Sequence, residues 1–329
     1  MQSALVIGGT RFIGRHTVTE LLDHEYDVAI FNRGNHENPF EDDDRVTHVP
    51  GDRTDRAALE RAADAVDPAI VIDCVAYFPE DVAVATEVFA DVEGYVYVSS
   101  GDAYGREEIP KREDETPLQP RLERAVDEVT DETYGPLKAA GDRAVVSAAE
   151  AGVNAISVRP CIVYGPHDYT ERIDYWIDRV RRFDRVLVPG DGQNVWHRAY
   201  VADVARALRI VAERGAPGEV YNVGDRRLRT LEETLETIAA ALDTSVEVVH
   251  ASARELATEG LDPSDFVLYR EYPHVLSTAK LAGLGWSSTP LEEAMASTVA
   301  DHVESERDGS EWDPGRDAEE RLLDALETP

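Results

Sequence analysis

A tyrosine and a lysine four positions apart give this sequence its clearest chemistry. Tyr134-Gly135-Pro136-Leu137-Lys138 puts a phenol and an ammonium on one face of a helix. A cation beside a phenol lowers its pKa from about 10 toward neutrality, so that it can take and return a proton. Only Lys111, Lys138 and Lys280 are lysines among 33 Lys and Arg. A composition that elsewhere uses arginine keeps an ammonium here, a compact donor suited to hydroxyls and to a phenolate. The helix is predicted to start near Tyr134, with Asp131 or Thr133 as N-cap. Pro136 then falls in the first turn, where its missing N–H costs little. Ser100 follows the strand Tyr95-Val96-Tyr97-Val98-Ser99 and is predicted to hydrogen-bond a substrate hydroxyl or carbonyl, since ligands bind at that end of open sheets.

A second site needs phosphate. Gly8-Gly9-Thr10-Arg11-Phe12-Ile13-Gly14 follows the first predicted strand and opens the first predicted helix. Glycines there allow a tight turn and a close approach to a pyrophosphate resting on the helix N-terminus. Arg11 stands where the usual pattern has its middle glycine. Its side chain is predicted to swing aside and to pair with a cofactor phosphate. Asn32-Arg33 ends the second strand, where an NAD site prefers an acid for the ribose 2′-OH and an arginine suits a 2′-phosphate. This favours NADP slightly over NAD.

Those groups must be positioned by an alternation of strands and helices. Strands are predicted at 4–8, 28–31, 46–49, 69–73, 95–99 and 153–158, and helices at 12–23, 54–65, 80–90 and 134–150. Near-continuous apolar strands alternating with helices mean an α/β, doubly wound parallel (Rossmann) sheet. Residues 1–165 read as a dinucleotide-binding domain, with late strands returning from about 190–225. Residues 166–329 read as an interleaved, smaller α/β substrate lobe. Helices are expected there near 171–183, 201–213, 231–241 and 291–303, with short strands at 219–223 and 246–249. An acidic tail from about 304 carries one amphipathic piece, 318–326, and is expected to be peripheral and partly mobile.

The charge excludes whole classes of partner. Asp and Glu number 66, and the net charge is −33. Such a surface repels nucleic-acid backbones and anionic membranes. Acid spread along the whole chain fits a halophilic protein, whose self-repulsion is screened by salt. No apolar run reaches a membrane span or resembles a leader, so a cytoplasmic protein is expected. Cys74 and Cys161 lack ligand spacing and read as buried apolar residues, with no metal and no disulfide framework.

Together these motifs resemble the extended short-chain dehydrogenase/reductases of the NAD-dependent epimerase/dehydratase superfamily. The resemblance rests on the Gly8–Gly14 turn, Val98-Ser-Ser-Gly-Asp-Ala-Tyr-Gly105 and Tyr134-Gly-Pro-Leu-Lys138. Val158-Arg-Pro-Cys-Ile-Val-Tyr-Gly-Pro166, Tyr200-Val-Ala-Asp203 and Val220-Tyr-Asn-Val-Gly224 extend it in order over about 1–300. It implies a bound NAD or NADP and catalytic roles for Ser100, Tyr134 and Lys138. It also implies cofactor contacts from Gly8, Thr10, Arg11, Phe12, Ile13 and Gly14, and from Asn32 and Arg33. Asp52, Arg53 and Ala76 would flank adenine and ribose, and the backbone of Pro160 to Ile162 would meet the carboxamide.

Two departures bear on substrate. Sugar-nucleotide members of the family carry an Arg-Asp pair before the segment matching Tyr200-Val-Ala-Asp203. Here Trp196, His197 and Arg198 stand in that stretch, so either Arg198 substitutes as the diphosphate clamp or the clamp is absent. Dehydratase members carry Asp-Glu after the serine position. Here it is Gly101-Asp102, which counts against 4,6-dehydration. Asp102, His197 and Arg198 are the candidate substrate contacts. The loop between Ser100 and Tyr134 also carries an acidic insertion around 121–132. The expected activity is an NAD(P)-dependent epimerase or oxidoreductase, an isomerase in the first case, acting on a hydroxyl of a sugar nucleotide or related small molecule. The Gly-Gly-Thr-Arg-Phe variant also resembles a plastid subgroup linked to RNA binding. The alternative is therefore a cofactor-binding regulatory or RNA-binding module without turnover, which the Ser/Tyr/Lys set and the charge oppose. The expected partners are a small-molecule substrate and, as an open option, a second copy in a homodimer.

Overall fold

The computed structural model describes residues 2–327. In chain order the first elements are β1 (Ser3–Ile7), α1 (Phe12–Asp23), β2 (Asp27–Asn32), β3 (Val46–Pro50), α2 (Arg56–Val66), β4 (Ile70–Asp73) and α3 (Pro79–Val88). There follow β5 (Gly94–Val98), α4 (Asp131–Glu150), β6 (Ala155–Pro160), β7 (Ile162–Tyr164), α5 (Arg172–Arg182), β8 (Arg185–Pro189) and β9 (Arg198–Tyr200). The remainder are α6 (Val201–Arg214), β10 (Val220–Val223), α7 (Leu231–Ala241), β11 (Glu247–Ala251), α8 (Ala253–Leu256), α9 (Ala279–Gly283), α10 (Leu291–Glu304) and α11 (Arg316–Glu327).

Seven strands form one sheet in the order β10-β6-β5-β4-β1-β2-β3. Every pairing is parallel, with Ile7 beside Phe31 on one side and beside Asp73 on the other. The doubly wound sheet expected from the strand-helix alternation is thus the fold. Strands that bury both faces must be apolar throughout, as Ser3-Ala4-Leu5-Val6-Ile7 is after its first residue. Side chains alternate in direction along each strand. Leu5, Ile7, Ala29, Phe31, Tyr95 and Tyr97 share a core with Leu59, Val82, Ala85 and Val145 from α2, α3 and α4. Helix α6 packs on α1 and on β4, β5, β6 and β10. The strand order reverses beside β1, and the carboxyl ends of β1 and β4 form the crevice where such sheets bind ligands.

The chain divides into two compact units. The first comprises Met1–Val163, Val201–Gly224 and Leu276–Ser288. It includes α6, whose apolar face of Val204, Ala205, Leu208 and Val211 is buried. The second comprises Tyr164–Tyr200, Asp225–Val275 and Thr289–Pro329. There β8 and β11 pair in parallel, and α7 packs against α5 and α10. Trp176 is fully buried and donates from its indole to the Val267 carbonyl at 2.9 Å.

The acidic tail corrects its expectation. Its residues 309–323 are tied down rather than peripheral, beginning with the Gly309 N–H, which donates to Glu171 at 3.0 Å. Tyr175 and Arg179 both donate to the buried Glu319, at 3.0 and 3.2 Å. Trp312 donates to the Thr170 carbonyl at 2.8 Å, and Leu322 and Leu323 are buried. The amphipathic stripe of α11 supplies apolar burial, and Glu319 joins Asp313 as an acceptor for Arg179.

Candidate active site

The phosphate turn is built around two glycines. Gly8 follows β1 with φ +91°, a left-handed conformation that glycine adopts without strain. Its N–H donates to the Phe31 carbonyl at 3.0 Å, which extends the β1–β2 pairing by one step. Gly14 lies in the first turn of α1, and a Cβ there would stand 2.0 Å from the Gly8 carbonyl oxygen. The helix can therefore approach the turn only with glycine at 14. Arg11 occupies the N-cap with extended backbone and an exposed side chain, Phe12 is buried at φ +33°, and Ile13 follows inside α1. The first turn of α1 carries no acidic residue. A pyrophosphate fits this cradle, because the backbone is bare of Cβ atoms where it must approach and the helix dipole favours an anion.

Around that turn the polar side chains are already engaged. Asn32 donates to Thr10 Oγ1 at 3.4 Å and accepts from the Gly34 N–H at 2.8 Å, with His48 3.0 Å from the same oxygen. Arg33 is exposed. Asp52 accepts from Thr54 N and Oγ1 at 2.9 and 2.8 Å, and these bonds, chiefly the backbone one, hold its carboxyl below the usual range. Arg53 turns inward. It pairs with the fully buried Asp73 and, at 3.0 Å, with Asp81. Tyr95 donates to the same Asp73 at 3.0 Å.

The Tyr/Lys pair sits at the other side of the crevice, and its helix differs from expectation. Helix α4 begins at Asp131, capped by Thr130, neither Asp131 nor Thr133. Thr130 and Thr133 exchange side-chain and backbone bonds at 2.8 and 3.3 Å, a reciprocal box that satisfies two N-terminal donors. Pro136 therefore lies inside the helix, past the first turn. Gly135 is needed for contact: a Cβ there would lie 2.5 Å from the Asp102 carbonyl oxygen. That close approach brings α4 against the single 3-10 turn Gly101–Ala103, which Ser100 caps by accepting from the Asp102 N–H at 3.2 Å. Ser100 is buried and Asp102 half-buried.

Lys138 is buried, and its Nζ donates to the carbonyls of Ala76 and Val98, both at 2.9 Å. Those oxygens lie just past β4 and at the end of β5, so the ammonium bridges two strand ends. The rings of Tyr77, Tyr97 and Tyr134 lie 4.9, 5.0 and 5.8 Å from Nζ. Burial pulls Lys138 down to about 8, against the pull of Asp73 and then Asp142. Tyr97 is sealed in the core and burial pushes its phenol well above the usual value. Tyr134 is half-buried and Tyr77 exposed. The sequence alone missed Tyr77, whose only signal is its place three residues after Cys74. Burial also pushes the Cys74 thiol up to about 12, although Cys74 is half-buried and not the core residue expected; Cys161 is buried. Pro160 ends β6 opposite Val223 of β10, and Cys161 and Ile162 follow it into the interior.

His197 and Arg198 belong to the second unit, and Ser100, Tyr134 and Lys138 to the first. Both are buried. His197 Nε2 lies 2.8 Å from the Asp225 carbonyl, and burial pulls its pKa down to about 4. Arg198 donates to the Arg229 carbonyl at 3.1 Å and to Thr234 Oγ1 at 2.5 Å. Arg270, unremarked in the sequence, lies 5.0 Å from the ring of Trp196 in the same unit.

Comparison with known proteins gives the class. The family model of the NAD dependent epimerase/dehydratase family matches residues 4–224. The chain belongs to that family, and it is an enzyme of that class. It is 25% identical over 325 residues to mouse dTDP-D-glucose 4,6-dehydratase, covering 90% of this chain and 87% of that one. It resembles the structure of Thermus thermophilus UDP-glucose 4-epimerase in complex with NAD, with 25% identity, TM-score 0.69, and coverage of 92% and 99%. It is also 26% identical over 264 residues to an Arabidopsis thaliana chloroplast stem-loop binding protein, across 76% of this chain and 66% of that protein. No helix among the described residues is long and apolar enough to cross a membrane.

Proposed function

We propose that this chain catalyses reversible oxidation at a hydroxyl-bearing carbon of a nucleotide sugar, or a related small molecule, as an epimerase or an oxidoreductase. Family membership and the named activities of its relatives support the reading. When bound, NAD or NADP supplies the hydride chemistry. The Gly8–Gly14 turn would hold its pyrophosphate, Asn32, Arg33, Asp52 and Ala76 its adenosine side, and Pro160 and Ile162 its nicotinamide side.

The chain's own groups do the proton work. Tyr134 Oη takes the proton of the substrate hydroxyl and gives it back. Ser100 Oγ donates to the same substrate oxygen and steadies it. Lys138 favours the ionised phenol by its charge. Tyr97 cannot share the task, since burial keeps it protonated. Gly101 offers no carboxyl where a dehydratase of this family has one, so epimerisation or simple oxidation is favoured over loss of water.

The observation that carries this reading is the placement of Lys138. A buried ammonium bridges the ends of β4 and β5 within one helical turn of Tyr134, at the edge of the crevice beside the glycine turn. The test is Tyr134→Phe with Tyr77→Phe as its control, assayed on UDP- and dTDP-linked hexoses. Turnover should fall at least a thousandfold for Tyr134→Phe, within the reach of acid–base catalysis, while NAD still binds. Tyr77→Phe should keep most of its activity. The reverse result would overturn the assignment.

Asn32 supplies no carboxylate to repel a 2′-phosphate, and Arg33 offers donors to one, so a modest preference for NADP is part of the proposal. The stem-loop binding relative carries no second reading, because 66 acidic against 33 basic residues repel a phosphate backbone.

A further inference from the structure

One turn beyond Lys138 on α4 lies Asp142, buried like Lys138 itself. Its carboxylate accepts from Arg159 Nε on β6 at 2.8 Å, and Arg159 is buried as well. The Arg159 guanidinium lies over the ring of Tyr104, 4.6 Å from its centroid. Tyr104 follows the turn that Ser100 caps, and its hydroxyl donates to Asn222 Oδ1 on β10 at 2.9 Å. A chain of contacts thus runs from β10, through the Ser100 turn and β6, to the helix of Tyr134 and Lys138. Burying two charges costs several kcal/mol per ion after relaxation, and an apolar pair of equal volume often does as well or better for stability. A buried pair at this position therefore invites a reason beyond stability.

We propose that Asp142 and Arg159 are a positioning pair: Arg159 fixes the Asp142 carboxylate one turn from Lys138, so that its negative charge keeps the buried ammonium protonated while the pair locks α4 against the Ser100 turn. Lys138 is faced by Asp73 at the end of β4, Cys74 and Tyr77 in the following loop, Asp81 on α3, Tyr97 on β5, and Tyr134 and Asp142 on α4 itself. Cys74 and Tyr97 are neutral at pH 7, because burial raises both. Asp73 and Asp81 share Arg53 as counter-ion. Asp142 has Arg159. Three carboxylates, backed by two arginines, surround one lysine. The two arginines cancel most of the negative charge at long range and leave the nearest carboxylates to act on the ammonium.

The effect on turnover rests on the proton-transfer reading above; the effect on Lys138 does not. With three lysines in the chain, lysine labelled with 13C at Cε gives three signals, assigned by Lys111→Arg and Lys280→Arg, and their titration reads Lys138 directly. Asp142→Asn keeps the shape and removes the charge. The Lys138 midpoint should fall by roughly one unit, the size expected of one nearby charge. Asp142→Glu should restore it to within a few tenths of a unit. Should Asp142→Asn strand Arg159 and fail to fold, the double variant Asp142→Asn/Arg159→Gln removes both charges together and should again lower the midpoint. A Lys138 midpoint unmoved by Asp142→Asn or by the double variant, or one lowered equally by Asp142→Glu, overturns the proposal. Failure of the Tyr134→Phe test alone leaves these midpoints untouched, so the two ideas fail separately.

Discussion

The two units bury charge for different ends. In the first, Arg53 with Asp73 and Asp81, and Arg159 with Asp142, converge on one lysine at the carboxyl edge of the sheet. In the second, the buried charges act as staples. Arg179 holds Asp313 and Glu319, and Asp174 holds His302 and Arg307. These bonds fasten the stretch from His302 to Glu319 to α5. A buried ion pair is weak evidence for stability in either place. The difference lies in what each pair leaves behind. The first set leaves an ammonium poised between strand ends. The second set ties α10 and the tail back to α5.

Substitutions can separate the two uses. Gly14→Ala should have the largest effect on binding, because its Cβ would meet the Gly8 carbonyl. NAD affinity measured by calorimetry should fall more than a hundredfold, roughly 3 kcal/mol or more. An unchanged affinity would mean that the turn is no cofactor cradle. Glu319→Ala should act on stability alone. It removes the acceptor of Tyr175 and one of the two carboxylates of the buried Arg179, leaving Asp313; that costs about 1–3 kcal/mol, and chemical denaturation reads the loss. NAD affinity of the folded fraction should not change; a large loss of affinity would blur the contrast between the units. Arg33→Ala should have the smallest effect. The ratio of NADP to NAD affinity should drop severalfold, since one exposed charge-assisted contact is worth less than the 1.5–3 kcal/mol of a sheltered one. A ratio that does not move would assign Arg33 to solvent.

Much of the first unit was legible because its signals are local. Ala4-Leu-Val-Ile before Gly8 can only be a doubly buried strand. The helix predicted at 12–23 is observed at Phe12–Asp23. The start of α4 was misread because three candidate caps, Thr130, Asp131 and Thr133, lie within four residues, and the deciding bonds are reciprocal ones between two threonines. Strands β8 and β9 were missed because Arg185–Pro189 and Arg198–Tyr200 are short and follow a helix or a turn with no alternating pattern. The tail was read as loose because acidic residues dominate it, although Glu319 finds Arg179 some 140 positions away in sequence.

By itself the sequence determined the parallel sheet, the glycine turn, and the pairing of Tyr134 with Lys138, since each follows from a period or spacing within a few residues. The tertiary structure decided which charges meet. It sent Arg53 inward to Asp73 and Asp81, and it set Tyr77 beside Lys138. It also joined Asp142 to Arg159 across 17 positions and two elements. Backbone periodicity is fixed by local geometry. The partner of a buried charge is fixed by whichever opposite charge the packing brings within about 3 Å, and no local pattern encodes that.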